Sequence, residues 1–176
     1  MKLHHTLFFL ILTTLAACGG NSENSSGNNT QNSDILISEE RTFDHNIWCT
    51  QSPEVFEVNI SNVDDWFSIE YTIALDTAIY RYETVPFYTD IYTPDGVHRH
   101  MTPEIPIKHY GRWKGETRDG YQVISKVLYE HFAFNKAGKQ RIEVRQATSQ
   151  YNLEGIHSFG ITIKKVELDF EKMRNS

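Results

Sequence analysis

The chain has 176 residues and a formal net charge of −6, from 17 lysines and arginines against 23 aspartates and glutamates. An acidic protein is repelled by phosphate backbones and anionic headgroups, so this balance argues against nucleic-acid binding and against electrostatic docking on lipid. The two cysteines stand at positions 18 and 49. If Cys18 is modified, no internal disulfide can form, and packing alone must stabilise the fold.

Residues 1–17 have the layout of a secretory signal peptide. Lys2 precedes an apolar run over residues 7–12, and the apolar stretch ends near Ala17, well short of the roughly 20 residues that a membrane-spanning helix needs. The segment Leu15-Ala16-Ala17-Cys18 resembles the bacterial lipobox, in which small residues let the peptidase approach the backbone before the cysteine. We therefore predict cleavage after residue 17 and lipidation of Cys18.

Lipidation at Cys18 predicts a permanent membrane anchor. Each buried methylene contributes about 0.8 kcal/mol, so two or three acyl chains together hold a protein on a bilayer where one chain would not. Gly19 follows the cysteine, in place of the aspartate that commonly retains lipoproteins at the inner membrane. Only Glu23 is acidic nearby, which disfavours surface export. We expect an outer-membrane protein that faces the periplasm.

The segment after Cys18 has the composition of a flexible tether. Residues 19–34 include no apolar residue and are rich in asparagine, serine and glycine, so they cannot bury surface to offset chain entropy. We place the lipidated cysteine and its disordered tether at residues 18–38, one folded domain at 39–168, and a charged tail at 169–176.

Alternation of apolar and polar residues dominates the folded region. This period of two predicts strands with one buried face in five segments: Phe56–Ile60, Ile69–Ile73, Phe87–Tyr92, Ile142–Arg145 and Phe159–Lys164. Turn sequences lie at residues 93–96 and 135–138. The run 123–134 is compatible with a helix or a strand, and we predict a strand. The fold class is therefore all-β, a single antiparallel β-sandwich.

Few residues have a spacing that would suit a metal-binding site. His98 and His100 could place two imidazoles on one face of a strand, but the sequence names no third ligand. We expect both to be exposed loop residues and predict no metal site. Asp90 and Asp95 lack the spacing of a calcium loop, so we expect solvated turn residues.

The remaining motifs do not indicate an enzyme. Cys49 follows Trp48, and we expect its thiol to be buried and inert. The sequence contains no Gly-x-Ser-x-Gly, no phosphate-binding loop and no zinc motif. We predict no catalytic residue, no cofactor and no small-molecule substrate.

One segment stands out as a possible partner contact. Residues 111–115 place Trp113 between Arg112 and Lys114, with a glycine at each end. Trp113 could plug the core or the edge of a sheet. It could equally be an interface anchor together with Arg112 and Lys114, since tryptophan and arginine dominate interface hot spots.

The order of short segments along residues 42–165 is the most specific feature of the domain. In sequence they are Trp48, Phe56–Ile60, Pro94-Asp95-Gly96, Gly111–Gly115, then Phe134, Gly138 and Gln146, and finally Leu153–Ile161. In this order and spacing the chain resembles the gliding-motility lipoprotein family GldH. It departs from that pattern in its long tether and at residues 81–84.

The resemblance implies a function that composition does not. Members serve bacterial gliding, which is driven by an envelope machine tied to a dedicated secretion system, and they are not known as enzymes. It implies a non-enzymatic, lipid-anchored component of that machinery with other envelope proteins as partners. The alternative is a carbohydrate-binding envelope lipoprotein, with Trp113 and nearby tyrosines stacking on glycan. A flat exposed aromatic row would favour glycan, and a rimmed apolar patch would favour protein.

Overall fold

The structure, a computed structural model, describes residues 34–168. The predicted signal peptide, Cys18 and the tether up to residue 33 lie outside the described residues, as does the predicted tail at 169–176. The described residues form these strands: β1 Ile35–Thr42, β2 Ile47–Cys49, β3 Glu54–Ile60, β4 Trp66–Leu75, β5 Thr84–Tyr92, β6 His98–Met101, β7 Glu104–Pro106, β8 Lys108–His109, β9 Arg112–Trp113, β10 Glu116–Arg118, β11 Tyr121–Phe132, β12 Gly138–Gln146, β13 Asn152–Glu154 and β14 Ile156–Val166. None of the described residues belongs to a helix with the length and hydrophobicity that crossing a bilayer takes.

Two antiparallel sheets make up the sandwich. The first has the order β1-β14-β4-β11-β10, and the second has the order β3-β12-β5-β6, with β7 also paired to β5. Two small additions, β2 with β13 and β8 with β9, complete the pairing. Every pair is antiparallel. The all-β antiparallel sandwich predicted from the sequence is confirmed.

The period of two arises because successive strand residues point to opposite faces of a sheet. In β3, Phe56, Val58 and Ile60 are buried, whereas Glu57 and Asn59 between them are exposed. The ambiguous run at 123–134 is mostly strand, because β11 pairs with β4 from the partners Gln122 and Leu75 to Phe132 and Phe67. The strand prediction there is confirmed.

Aromatic rings join the two sheets across the core. Phe159 of the first sheet lies with its ring centroid 5.1 Å from that of Phe87 in the second, and Tyr71 contacts both. Trp48 is fully buried, with its ring 5.0 Å from Phe159. Cys49, expected to be buried, is only half-buried, because alternation along β2 turns it away from the core that Trp48 enters.

The folded domain begins earlier than the sequence suggested. We placed the tether at 18–38, but residues 35–38 already belong to β1. The physical reason lies in Ile35, Leu36 and Ile37, which are half-buried, and Leu36 and Ile37 pack against the core. Ile35 and Ile37 pair with Lys164 and Ile163 of β14.

Candidate functional site

A short hairpin carries the segment singled out in the sequence. In β8 and β9, Lys108 pairs with Trp113 and His109 pairs with Arg112. Tyr110 and Gly111 form the connecting loop, and both have positive φ, +48° and +72°. Positive φ at both central residues defines the type I′ turn, whose twist matches that of paired strands. The hairpin therefore presents Tyr110 at its tip.

The base of the hairpin is fixed to the sandwich. The amide of Lys114 donates to the carbonyl of Ile107 at 2.8 Å, and Gln122 Nε2 donates to the carbonyl of Lys114 at 2.6 Å. Gly115 has φ of +76°, and a Cβ there would lie 2.0 Å from the carbonyl oxygen of Val123. Only glycine fits so close to a neighbouring backbone, so Gly115 allows the chain that follows the hairpin to pass close to β11.

The three predicted contact residues differ in position. Trp113 lies at the base, half-buried and packed against the core. Lys108 places its Nζ 4.3 Å from the Trp113 ring centroid, within the range of a cation–π contact. Lys114 is half-buried, and Arg112 is exposed. Of the three, Arg112 alone is free to reach outward, and Trp113 has the geometry of an edge plug.

Tyr110 is the residue that the sequence analysis missed. Its side chain is 93% exposed, and its ring centroid lies 4.3 Å from that of His109. Type I′ turns favour Asn-Gly and Asp-Gly, so Tyr-Gly did not reveal the turn. A bulky residue in the left-handed region is a conformational outlier. Residues held in such conformations cluster at functional sites.

A second group of side chains lies on the outer face of the second sheet. Asp90 of β5 is opposite His100 of β6. His98 lies two residues before His100 in β6, so all three side chains share one face. Asp90 Oδ1 lies 2.6 Å from His100 Nδ1 and 2.8 Å from His98 Nε2. The prediction that Asp90 is a solvated turn residue is wrong, because the carboxylate lies within a strand and is 2% exposed.

The two histidines also differ from the prediction of loop residues. They lie in β6, an edge strand of the second sheet, with side chains 44% and 49% exposed. Tyr92 stacks on His98 with ring centroids 4.7 Å apart, and Tyr88 packs on His100 at 5.3 Å. Each imidazole is therefore held by a tyrosine as well as by Asp90.

The Asp90 carboxylate is stabilised as an anion. Burial raises its pKa, but hydrogen bonds from His100, Arg145 and His98 outweigh that effect and bring the pKa to about 2. Arg145 Nη2 donates to Oδ2 at 2.9 Å, the oxygen that the histidines do not use. Since an ionised carboxylate only accepts hydrogen bonds, the nitrogens of His98 and His100 that face Oδ1 both carry a proton.

Together the described residues define a β-sandwich domain with a projecting aromatic hairpin and a polar cluster on one face. The family model described as GldH lipoprotein matches residues 35–163. The chain belongs to the GldH lipoprotein family. Membership makes it a gliding-motility-associated lipoprotein, anchored to a membrane of the cell envelope.

Other comparisons add little. None of the curated proteins compared matches the chain. A crystal structure of the infectious bursal disease virus VP2 subviral particle is similar at 16% sequence identity, over 72% of this chain and 31% of the viral one, with a TM-score of 0.32. The chain thus spans about a third of the length of that viral protein.

Proposed function

We propose that the chain is a non-enzymatic, lipid-anchored component of the gliding-motility and associated secretion machinery, which binds another envelope protein through the β8–β9 hairpin. The observation that carries the proposal is Tyr110, 93% exposed at the tip of a turn that disfavours it. Family membership indicates the machinery in which the chain acts, and the hairpin is the surface through which we expect it to bind a partner.

Tyr110 has the properties of an interface anchor. Tyrosine and arginine are enriched among hot spots, because each combines a large contact area with a polar group. Arg112 and His109, the pair next to the tip, are exposed beside it. A rigid two-residue turn also limits the conformational entropy lost on binding.

The charge of the hairpin indicates the chemistry of the partner. Residues 108–114 contain three lysines and arginines and no acidic residue, in a chain with net charge −6. Lys108, at the base of the hairpin, already has a partner within the domain, because its Nζ lies 3.7 Å from a carboxylate oxygen of Glu83. Arg112 is left to pair outside the domain, so we expect an acidic surface with an apolar recess for the tyrosine ring.

Lipidation at Cys18 would hold the domain at the outer membrane on its periplasmic side. Gly19 in place of an aspartate supports the outer membrane, and the single acidic residue nearby, Glu23, supports the periplasmic side. The partner would then be a periplasmic part of the same machinery. Two contacts count against the carbohydrate alternative, because Lys108 covers the Trp113 ring and the tyrosines of the polar cluster stack on histidines, which leaves Tyr110 as the exposed aromatic ring near Trp113.

The experiment is site-specific photo-crosslinking in the native envelope. A photoreactive amino acid replaces Tyr110 in the full chain, and a control places the same group at Asp119. Asp119 is matched because it occupies the equivalent position of another positive-φ turn, followed by Gly120. We expect a specific envelope-protein adduct from position 110 and none from 119.

Two outcomes would overturn the proposal. One is the same adducts from both positions. The other is full complementation of a deletion strain by a Tyr110→Ala chain that is produced at the wild-type level. Capture of polysaccharide in place of protein would replace the proposal with the carbohydrate alternative.

A further inference from the structure

The polar cluster on the second sheet has the composition of a metal site. Asp90 Oδ1, His98 Nε2 and His100 Nδ1 all lie within 4.8 Å of one another. The two imidazoles stand in an edge strand, open to solvent, above a carboxylate that is 2% exposed. We infer that Asp90, His98 and His100 bind a divalent transition-metal ion, of which Zn²⁺ is the representative.

The distances fit coordination without rebuilding the backbone. Asp90 Oδ1 lies 2.6 Å and 2.8 Å from the two imidazole nitrogens. Adjacent ligands of a tetrahedral Zn²⁺ ion with bonds of about 2.05 Å lie about 3.3 Å apart, roughly half an ångström farther apart than these hydrogen-bonded atoms. Small rotations of the His98 and His100 side chains suffice to aim both nitrogens at an ion, which replaces the two protons now shared with Oδ1.

Those protons have a route out. Each imidazole carries a proton on the nitrogen that faces Asp90 and has a second ring nitrogen to receive one. On binding to a neutral ring, the proton moves to that second nitrogen, whereas a ring protonated on both nitrogens loses one proton to solvent; in either case the freed lone pair forms the metal bond. No redox change and no co-reactant is involved.

The surroundings hold the ligands in place. Arg145 donates to Asp90 Oδ2 at 2.9 Å, which leaves Oδ1 for the ion and orients the carboxylate. Tyr92 and Tyr88 pack on the rings of His98 and His100. A hydrogen bond such as that from Arg145 fixes the orientation of a ligating carboxylate.

The donor set selects the class of ion. Two imidazole nitrogens and one carboxylate oxygen suit Zn²⁺, Ni²⁺ and Cu²⁺, and they do not suit Ca²⁺ or Mg²⁺, which prefer oxygen ligands. With three protein ligands, the remaining positions on the ion are open to water or to a group from another molecule. The site lies on an edge strand, where a bridging ligand from a partner can reach it.

The test is calorimetric titration of the tag-free full chain in detergent with ZnCl₂. We expect one ion per chain, and a loss of at least about tenfold in affinity in the variant His98→Gln/His100→Gln. The matched control is His45→Gln/His131→Gln, which changes two exposed histidines before β2 and in β11 and should bind Zn²⁺ as the wild type does. Each ion-free variant is first shown to melt as the wild type does.

A second measurement needs no variant. Co²⁺ bound to nitrogen and oxygen gives visible bands without the near-ultraviolet charge-transfer band of a thiolate, so it separates this site from binding at Cys49. The inference is overturned if the wild-type chain takes up no Zn²⁺, if the His98/His100 variant binds as tightly as the control, or if Co²⁺ shows thiolate ligation.

Discussion

Tyr110 and Asp119 occupy the same position in two turns of the same kind, with φ of +48° and +52°, and each precedes a glycine. The Asp119 turn joins β10 to β11 and has the Asp-Gly sequence that type I′ turns favour. The other turn has the sequence Tyr-Gly, which type I′ turns do not favour. The Asp119 turn therefore serves as an unstrained reference for the Tyr110 turn, which has an unfavourable residue at the same position.

We expect Tyr110→Asn to stabilise the domain while abolishing partner binding. Asparagine tolerates the left-handed region that tyrosine occupies at a cost, so the free energy of unfolding should rise by roughly 1 kcal/mol. Urea unfolding measures the change. The reverse variant, Asp119→Tyr, should lower the free energy of unfolding by a similar amount. A Tyr110→Asn chain that is less stable than the wild type would contradict the strain argument.

Trp113→Ala separates an edge plug from an interface anchor. A fully buried aromatic costs about 3–5 kcal/mol when truncated, and Trp113 is half-buried and packs on the core, so we expect a loss of about 2 kcal/mol. Thermal unfolding measures this loss of stability. Trp48→Ala, which truncates a fully buried ring, should destabilise the domain more. Unchanged melting with lost crosslinking at Tyr110 would make Trp113 a contact residue.

Acid should weaken the domain through Asp90. Its pKa of about 2 in the fold lies below the ordinary 3.8, so the unfolded chain takes up the proton first as pH falls. The stabilisation is complete above about pH 5 and is lost progressively as pH falls through about 2, in total roughly 2 kcal/mol. Asp90→Asn should be less stable at neutral pH and lose this part of the pH dependence in urea unfolding. Parallel profiles for the two proteins would exclude this role for Asp90.

Cys18→Ser should abolish labelling by a fatty-acid analogue and release the chain from membranes, because we propose its thiol as the site of diacylglycerol attachment. Cys49→Ser is the matched control and should remain labelled and membrane-bound, since Cys49 lies within β2. Membrane fractionation and label incorporation measure both. Persistent labelling of the Cys18 variant would disprove the assignment.

The fold was predictable from the sequence because one buried face imposes a period of two. Val58 in β3 and Ile142 in β12, for example, are buried, and each is flanked by polar residues. This pattern is local in the sequence. The start of β1 was missed because Ile35 and Ile37 form a short apolar run whose partner strand lies far along the chain.

The candidate sites were less predictable because they depend on register. Asp90 meets His100 only because β5 and β6 pair with these residues opposite each other, and Arg145 approaches from β12, far along the chain. Sequence spacing named His98 and His100 but not their third partner. Likewise, the exposure of Tyr110 follows from the two-residue length of the hairpin loop, which the glycines alone do not specify.

The position of β1 has a mechanical consequence. The chain that precedes Ile35 enters the domain at an edge strand paired with β14 from Ile35 to Thr42. The carbonyl of Asp34 already accepts the amide of Lys165 at 2.6 Å, and Arg41 ties the far end of β1 to the carbonyl of Val55 in the other sheet at 3.1 Å. Tension transmitted through residues before Ile35 and directed along this strand loads its hydrogen bonds together, in shear. The sandwich is thereby suited to bear a pulling force applied at its N-terminal strand.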